Sequence, residues 1–346
     1  MFLQKLLNLK NPPSKLSFCT FAYLRRNNEE LAAHVFDQNA KRLQRERAVS
    51  ASDVKLYDYL KSEIGYRLSD RIFDIKRKFT LAADLGTSRG YVAKHVSPSS
   101  VEELILCDSN AQHLKDIEVQ DGIKIRKQII NEERIEFEPD SLDLVISSLT
   151  LHWINDLPGA FKRILHGLKQ DGVLIAAVFG GDTLYELRSS LQLAELERRG
   201  GISPHISPFT HVRDIGGLLN TAGFTMLTID TDEIIISYPS MFELMWDLKG
   251  MGENNAAISR ELHLSRDTQF AAAAIYQELY GKFDEQKGSY TIPATFQVIN
   301  MLGWKPHPKQ PKPKERGSGQ ISLKDLHRLD EIIKEAKKIG SDDERN

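Results

Sequence analysis

The sequence predicts an α/β protein: a mostly parallel, seven-stranded sheet with helices on both faces and two helical insertions. Three observations carry that prediction. Short apolar runs at Leu81–Leu85, Leu104–Cys107, Ile123–Ile130, Leu142–Ser148 and Val173–Phe179 alternate with segments of helical character. Strands spaced in this way argue for a parallel sheet with crossover helices. The first run closes in L-A-A-D-L-G-T-S-R-G at 81–90, where Asp84 ends the apolar stretch and Gly86 and Gly90 follow. Gly86 can take a positive φ without a side-chain clash. The helix start beyond it offers free N–H groups to an anionic or polar ligand. Last, the rhythm breaks after Gly180-Gly181 and resumes at 212, so that insertions at about 182–200 and 240–283 interrupt the sheet.

In chain order, residues 29–75 are helical and highly charged, with K-R-L-Q-R-E-R-A at 41–48 and Ser52 and Asp53 as candidate caps, and resemble a lid or support placed before the sheet. The sheet domain spans 76–304. Helices are predicted at Gly90–Val96, Ala111–Ile117 and Leu157–Leu168 between its strands. Asp182 is the expected cap of a helix ending near Arg199-Gly200-Gly201. A loop with Pro204, His205 and Pro208 precedes a helix at Val212–Leu219, which Ala222-Gly223 stops. The strand Thr225–Ile236, a helical stretch Ser240–Phe283 and a last strand Phe296–Leu302 complete the domain. Residues 305–320 have the Pro, Lys and Gly composition of a linker. Ser322 with Asp325 forms a capping-box pattern opening a helix within 321–346, whose apolar face either packs on the body or binds a partner.

At 346 residues the chain has room for two domains, or for one large domain with additions. A net charge of −2 gives no sign of a nucleic-acid partner, and no run approaches 18 apolar residues. Residues 1–28 hold Lys5, Lys10, Lys15, Arg25 and Arg26 and no acidic residue, and Phe2, Leu3, Leu6, Leu7 and Leu9 fall on one side of a helix. That is the pattern of a mitochondrial transit peptide. Without it the chain keeps 41 basic against 48 acidic residues, a charge of about −7. Of two cysteines, Cys19 lies in the leader and Cys107 closes an apolar run, so a disulfide is not expected in the mature chain.

Four features fall on the carboxyl edge of the predicted sheet, where α/β proteins bind ligands. They are the Asp84-Leu85-Gly86-Thr87-Ser88-Arg89-Gly90 turn, Asp108 some 22 residues after Gly86, Asn131-Glu132 after the third strand, and S-S-L-T-L-H-W from Ser147 to Trp153. A carboxylate at Asp108 can accept both hydroxyls of a ribose, although alone it also fits a helix cap. Asn131 or Glu132 can meet an adenine edge, and Ser148 leaves the fourth strand above the ligand. Position 88 is Ser, so the G-x-G-x-x-G dinucleotide turn is absent, as is the P-loop. An adenosine cofactor without a pyrophosphate, S-adenosylmethionine, asks less of this turn.

These residues resemble the class I S-adenosylmethionine-dependent methyltransferases, whose fold is Rossmann-like. The likeness narrows with L-D-L-V-I-S-S-L-T-L-H-W-I-N-D-L-P from 142, G-G-D-T-L-Y-E-L-R from 180, S-P-H-I-S-P-F from 203 and M-F-E-L-M-W-D-L-K-G-M-G-E from 241. Together they are similar to the complex I assembly factor 5 family, arginine hydroxylases of an iron–sulfur subunit; the likeness covers about 35–319. A more distant one is to the malonyl-carrier-protein methyltransferases. The resemblance implies S-adenosylmethionine as cofactor, iron–sulfur subunit 7 of mitochondrial NADH dehydrogenase and other assembly factors as partners, and a matrix protein peripheral to the inner membrane. Where the family pattern has Cys-Gly in the turn, this chain has Thr87-Ser88, and serine there restricts the backbone.

Candidates for the reacting side are His152, Asp182, Tyr185, Glu186 and His205. Asp182 and Glu186, four apart on a predicted helix face, either hold a guanidinium bidentately or serve as a cap and a solvated face. His152-Trp153 fits core packing better than a general base, whereas His205 between two prolines has no evident core role. None of the ten histidines has Asp or Glu two residues on, so the usual two-histidine, one-carboxylate iron site is not expected and no metal is assigned. Two further readings remain beside arginine hydroxylation: an O- or N-methyltransferase on a small molecule or carrier protein, and a non-catalytic chaperone holding a client through Trp304, the linker and the last helix.

Overall fold

The structure, a computed structural model, describes residues 34–284, 288–312 and 316–318. The leader expected at 1–28 and the helix and tail expected at 321–346 lie outside the described residues. The chain divides into two units, Met1–Pro306 and His307–Asn346. In the second, a turn is closed by the Gln310 N–H on the His307 carbonyl at 3.1 Å.

The first unit is built on a mixed sheet of eight strands: β1 (Phe79–Leu85), β2 (Val101–Asp108), β3 (Lys124–Ile129), β4 (Leu142–Ser148), β5 (Leu168–Phe179), β6 (Thr225–Tyr238), β7 (Lys282–Asp284) and β8 (Ser289–Trp304). Their order is β3-β2-β1-β4-β5-β8-β6, with β7 paired to β8. The first five run parallel, and β8 lies antiparallel to β5, β6 and β7. Seven strands were expected; the eighth is β7, which with the early start of β8 forms a hairpin where the helical stretch was predicted to run on to Phe283.

Neighbouring residues on the central strands face opposite layers, as the two-residue strand period requires. Ala82, Leu104, Leu144 and Val173 join Leu60, Ile64, Leu68 and Ile72 of one helix, whereas Ala83, Leu85, Val145 and Leu174 pack with Phe161, Ile164, Ile215 and Leu219 of others. Burial on both faces explains the near-continuous apolar runs of the central strands. The edges behave differently: all six residues of β3 are exposed, and β6 alternates along most of its length.

Seven α-helices are described: α1 (Gln38–Val49), α2 (Tyr59–Asp74), α3 (Leu157–Gly167), α4 (Tyr185–Arg199), α5 (Val212–Ala222), α6 (Met241–Met251) and α7 (Arg266–Tyr280). Side chains of Asp37, Ser240 and Ser265 cap α1, α6 and α7 by accepting from free N–H groups of their first turns. Two predicted helices are absent. Between Gly90 and Val96 there is a 3-10 turn at Ala93–His95, because Pro98 pushes the residue before it out of the helical region and leaves too short a run. Across Ala111–Ile117 the backbone makes turns, drawn off by Asn110, whose side chain accepts the Gln112 N–H at 2.9 Å. Asp182 also fails to cap α4. Residues 180–184 are tied to β8, with Gly180 N–H on Gln297 O at 2.8 Å and Leu184 N–H on Thr295 O at 2.7 Å, so the helix begins only at Tyr185.

Candidate functional site

The register of β1, β2 and β3 brings Gly86, Asp108 and Ile130 to one edge. At Gly86 the chain turns with φ +70°, its N–H on Cys107 O at 2.8 Å, and a Cβ there would stand 2.1 Å from Thr150 Oγ1. Glycine is therefore required both by conformation and by the approach of the loop after β4. Ser88 takes φ +50° and donates its N–H to Asp108 Oδ2 at 2.8 Å. The other carboxylate oxygen of Asp108 accepts the Asn110 N–H at 2.8 Å and faces His113 Nδ1 at 3.0 Å. Burial raises the pKa of this carboxyl, but the hydrogen bond and charge of His113, with Arg45 and the Asn110 N–H, outweigh it and hold the group below its usual range.

Asp84, at the end of β1, is buried and accepts from Thr87 Oγ1 through Oδ2, while Oδ1 has no partner. Burial pushes its pKa up to about 7 despite the Thr87 hydrogen bond, with Asp108 adding to the rise. Gly86, Ser88, Asp108, His113 and Ser148 line a cavity of about 30 Å³, closed from above by Arg45 and Val49 of α1 and by Met251 and Glu253. The charged N-terminal segment thus covers the crevice.

Asn131 and Glu132 divide. Glu132 turns inward, is buried, and pairs with Arg45 at 2.6 Å. Asn131 is exposed and caps a 3-10 turn by accepting the Glu133 N–H, so it does not enter the crevice as expected from its place after β3. Its short side chain satisfies the turn's own backbone instead.

Beyond Ser148, His152 and Trp153 lead into a buried charged cluster that patterning did not reveal. The His152 ring lies among Trp153, Phe179 and Phe209, with centroids 5.1 to 5.4 Å away, and neither ring nitrogen has a hydrogen-bond partner. Burial lowers its pKa, opposed by Glu253, whose Oε2 lies 3.8 Å from Nε2. Glu253 pairs with Lys61 at 2.6 Å and accepts from Trp153 Nε1 at 3.0 Å. Burial would raise its pKa, yet Lys61, His152 and Lys41 hold it well below the carboxylate range. Lys41 is fully buried, donates to Gly252 O at 3.0 Å and Asn254 O at 3.1 Å, and sits 3.3 Å over the Trp153 ring. Burial depresses its pKa strongly, with Glu253 opposing. In the sequence Lys41 lies in K-R-L-Q-R-E-R and reads as a solvated face; only the structure separates it from its neighbours.

The remaining candidates do not assemble. Asp182 is exposed, lies outside α4 and accepts from Gln297 Nε2 at 3.0 Å. Glu186 is buried and takes both the N–H and the hydroxyl of Thr295. They therefore form no guanidinium clamp. Tyr185 is exposed and stacks edge-on with Tyr280 at 6.0 Å. His205 Nε2 meets Glu195 Oε1 at 2.7 Å, beside the Ser203 N–H on Oε2 at 2.7 Å, and this pins the 203–209 loop to α4. Among the described residues, no group of three or more His, Cys, Asp and Glu is arranged to hold a metal, and no helix is long and apolar enough to cross a membrane.

The strand order, the antiparallel β8 between β5 and β6, and the glycine turn facing a carboxylate at the end of β2 define a methyltransferase-type α/β domain. A methyltransferase-domain family model matches residues 66–229. The chain is 51% identical over 299 residues to "Arginine-hydroxylase NDUFAF5, mitochondrial" of Danio rerio, covering 86% of this chain and 91% of that one. To the Homo sapiens protein of the same name it is 49% identical over 305 residues, covering 88% and 87%. The YcgJ protein of Bacillus subtilis superposes at a TM-score of 0.47 with 16% identity, over 69% of this chain and 98% of that one. The chain belongs to the NDUFAF5 family of mitochondrial arginine hydroxylases, enzymes built on a methyltransferase fold.

Proposed function

We propose that this protein binds S-adenosylmethionine at the carboxyl edge of β1, β2 and β4 and hydroxylates an arginine of an iron–sulfur subunit, subunit 7 of the mitochondrial NADH dehydrogenase, early in assembly of that complex. It would act in the matrix, peripheral to the inner membrane and with other assembly factors, after a transit peptide at 1–28 is removed. The observation that carries the cofactor reading is Asp108, held by the Ser88 N–H one turn beyond Gly86.

The donor and acceptor set fits the ligand. Asp108 offers a charged acceptor for ribose hydroxyls, and Ser148 lines the same cavity. The Gly86–Gly90 turn brings backbone rather than side chains to this edge. Arg45 on Glu132 and the α1 residues above the cavity are the groups that must give way for a nucleoside to seat. When bound, the cofactor would supply an electrophilic carbon beside its sulfonium. The chain's own contribution is to fix the carboxylates, exclude water under α1 and keep the His152 ring neutral.

Mass spectrometry of the iron–sulfur subunit from cells with and without this protein tests the reading. A gain of one oxygen on an arginine, lost on deletion, supports it. A methyl gain instead would make the protein a methyltransferase, and an unmodified arginine with failed assembly would make it a chaperone.

A further inference from the structure

Asp58 and Arg89 meet where the Asp108 crevice gives onto a wider groove of about 940 Å³, and with Tyr91 they belong to the walls of both. Arg89 stands in the turn after β1, one residue beyond the Ser88 whose N–H holds Asp108, and Asp58 stands at the start of α2. Arg89 Nε lies 3.1 Å from Asp58 Oδ2, with the two side chains only 25% and 19% exposed. The pair is matched in charge but poor in bonds. Asp58 occupies the N-cap position of α2, yet its side chain makes no capping bond and instead accepts from the Tyr91 hydroxyl through Oδ1. The Arg89 guanidinium makes no hydrogen bond among the described residues. Its Nε faces Asp58 without forming one, and neither Nη1 nor Nη2 has a partner or is sealed from the surface.

Such a pair is parted at low cost only by a ligand that replaces both charges. An anion alone would strand Asp58 and a cation alone would strand Arg89, and a largely buried charge left without its partner is strongly destabilising. An α-amino acid brings both signs on one carbon. Its carboxylate can take the Nη1 and Nη2 fork bidentately, and its ammonium, with three donors, can take Asp58 Oδ2. We propose that this ion pair is the seat for the amino-acid end of the cofactor, filled by exchange: the ligand carboxylate moves onto Arg89 and the ligand ammonium onto Asp58, which the Tyr91 hydroxyl keeps in place. The assignment rests on the S-adenosylmethionine reading and gives the site a reason to prefer the whole cofactor over its nucleoside alone. Because both residues border the groove, the exchange also opens the small crevice on that side. α1, anchored through the buried bonds of Lys41 to Gly252 O and Asn254 O, then yields only at its side chains and need not lift as a body.

The test uses the whole chain and calorimetry with three thioether ligands that differ at this end alone. S-adenosylhomocysteine carries the amino acid, its decarboxylated analogue keeps the ammonium without the carboxylate, and methylthioadenosine lacks both. Wild type is expected to bind S-adenosylhomocysteine at least about tenfold more tightly than either of the others, the worth of a hydrogen bond to a charged group. Arg89→Met and Asp58→Asn, the latter still an acceptor for Tyr91, should each weaken S-adenosylhomocysteine about tenfold or more and leave methylthioadenosine within about twofold, which also reports that they fold. Arg89→Met should in addition bind the decarboxylated analogue more tightly than wild type does, because Asp58 is then left for the ammonium alone; a merely structural role for Arg89 gives no such gain. Should Arg89→Met fail to fold, Arg89→Lys, which keeps the charge and loses the fork, is read in the same way with a smaller loss. Equal binding of S-adenosylhomocysteine and methylthioadenosine by wild type, variants that weaken both alike, or no gain for the decarboxylated analogue would each overturn the assignment while leaving the cofactor reading in place. If wild type binds none of the three, nor S-adenosylmethionine, the cofactor reading itself falls and the assignment with it.

Discussion

Ser88 reaches Asp108 from the left-handed region: at φ +50° its backbone N–H donates to the carboxylate at 2.8 Å. A side chain in that region costs about 1–2 kcal/mol, whereas glycine enters it freely at an entropic cost of about 0.5–1 kcal/mol. The hydrogen bond is thus made at the expense of strain that the Cys-Gly form of the turn would avoid. Ser88→Gly should leave the protein equally stable or up to about 1 kcal/mol more stable, and should tighten S-adenosylmethionine binding. Ser88→Val, with a branched Cβ, should lose about 2 kcal/mol. Urea unfolding of the three proteins decides the matter, and a Gly variant clearly weaker than wild type would show that this turn is not strained.

Asp108 is saturated on one oxygen by Asn110 and His113 and carries one N–H on the other. It therefore keeps a free lone pair for a ribose hydroxyl. Calorimetry with S-adenosylmethionine should find clear binding to wild type and at least tenfold weaker binding to Asp108→Ala, the usual worth of a hydrogen bond to a buried charge. Equal affinities would remove this carboxylate from the cofactor site.

Asp84 should write itself into the pH dependence of stability. Its carboxyl titrates near 3.8 in an unfolded chain and at about 7 when folded. Between those values the folded state holds a proton that the unfolded state has released, so stability falls as pH rises through the window and stays low above 7. The full difference is on the order of 4 kcal/mol. Asp84→Asn keeps an acceptor for Thr87 and cannot ionise. Its urea midpoint should therefore exceed that of wild type at pH 8 and approach it at pH 4. A wild-type profile parallel to that of the Asn variant would mean that Asp84 ionises normally.

What could be read without coordinates follows from range of interaction. The strands were legible because burial on both faces demands continuous apolar runs, and Gly86 and Asp108 because strand register fixes where a strand's end must lie. Asn131 was misplaced because a side chain's choice between its own turn and the crevice is a local contest that spacing does not record. The Asp182 and Glu186 pair failed for a different reason: long-range bonds to β8 delayed the helix start, and Thr295 took Glu186. The Lys41, Lys61 and Glu253 cluster draws on three segments about 20 to 210 residues apart, and no pattern in any one of them distinguishes these charges from solvated ones.

Lys61 and Glu253 provide the sharpest test of that cluster. Both are nearly buried, at 13% and 5% side-chain exposure, and 2.6 Å apart. Removing one partner of such a pair leaves an uncompensated buried charge, at a cost of about 3–5 kcal/mol, whereas replacing both can be close to neutral. Glu253→Gln still accepts from Trp153 but leaves Lys61 with the Met251 carbonyl and no counter-charge, and Lys61→Met leaves the carboxylate with the Trp153 N–H and the charges of Lys41 and His152. Each single variant should be destabilised by several kcal/mol and the double variant by less than their sum, with a coupling of about 2 kcal/mol or more in a double-mutant cycle. Because the folded pKa of Glu253 is depressed, the stability it contributes is present above the unfolded carboxyl range and is lost as pH falls through the folded value, so the coupling should shrink in acid. Additive single effects at neutral pH would show that the pair is solvated.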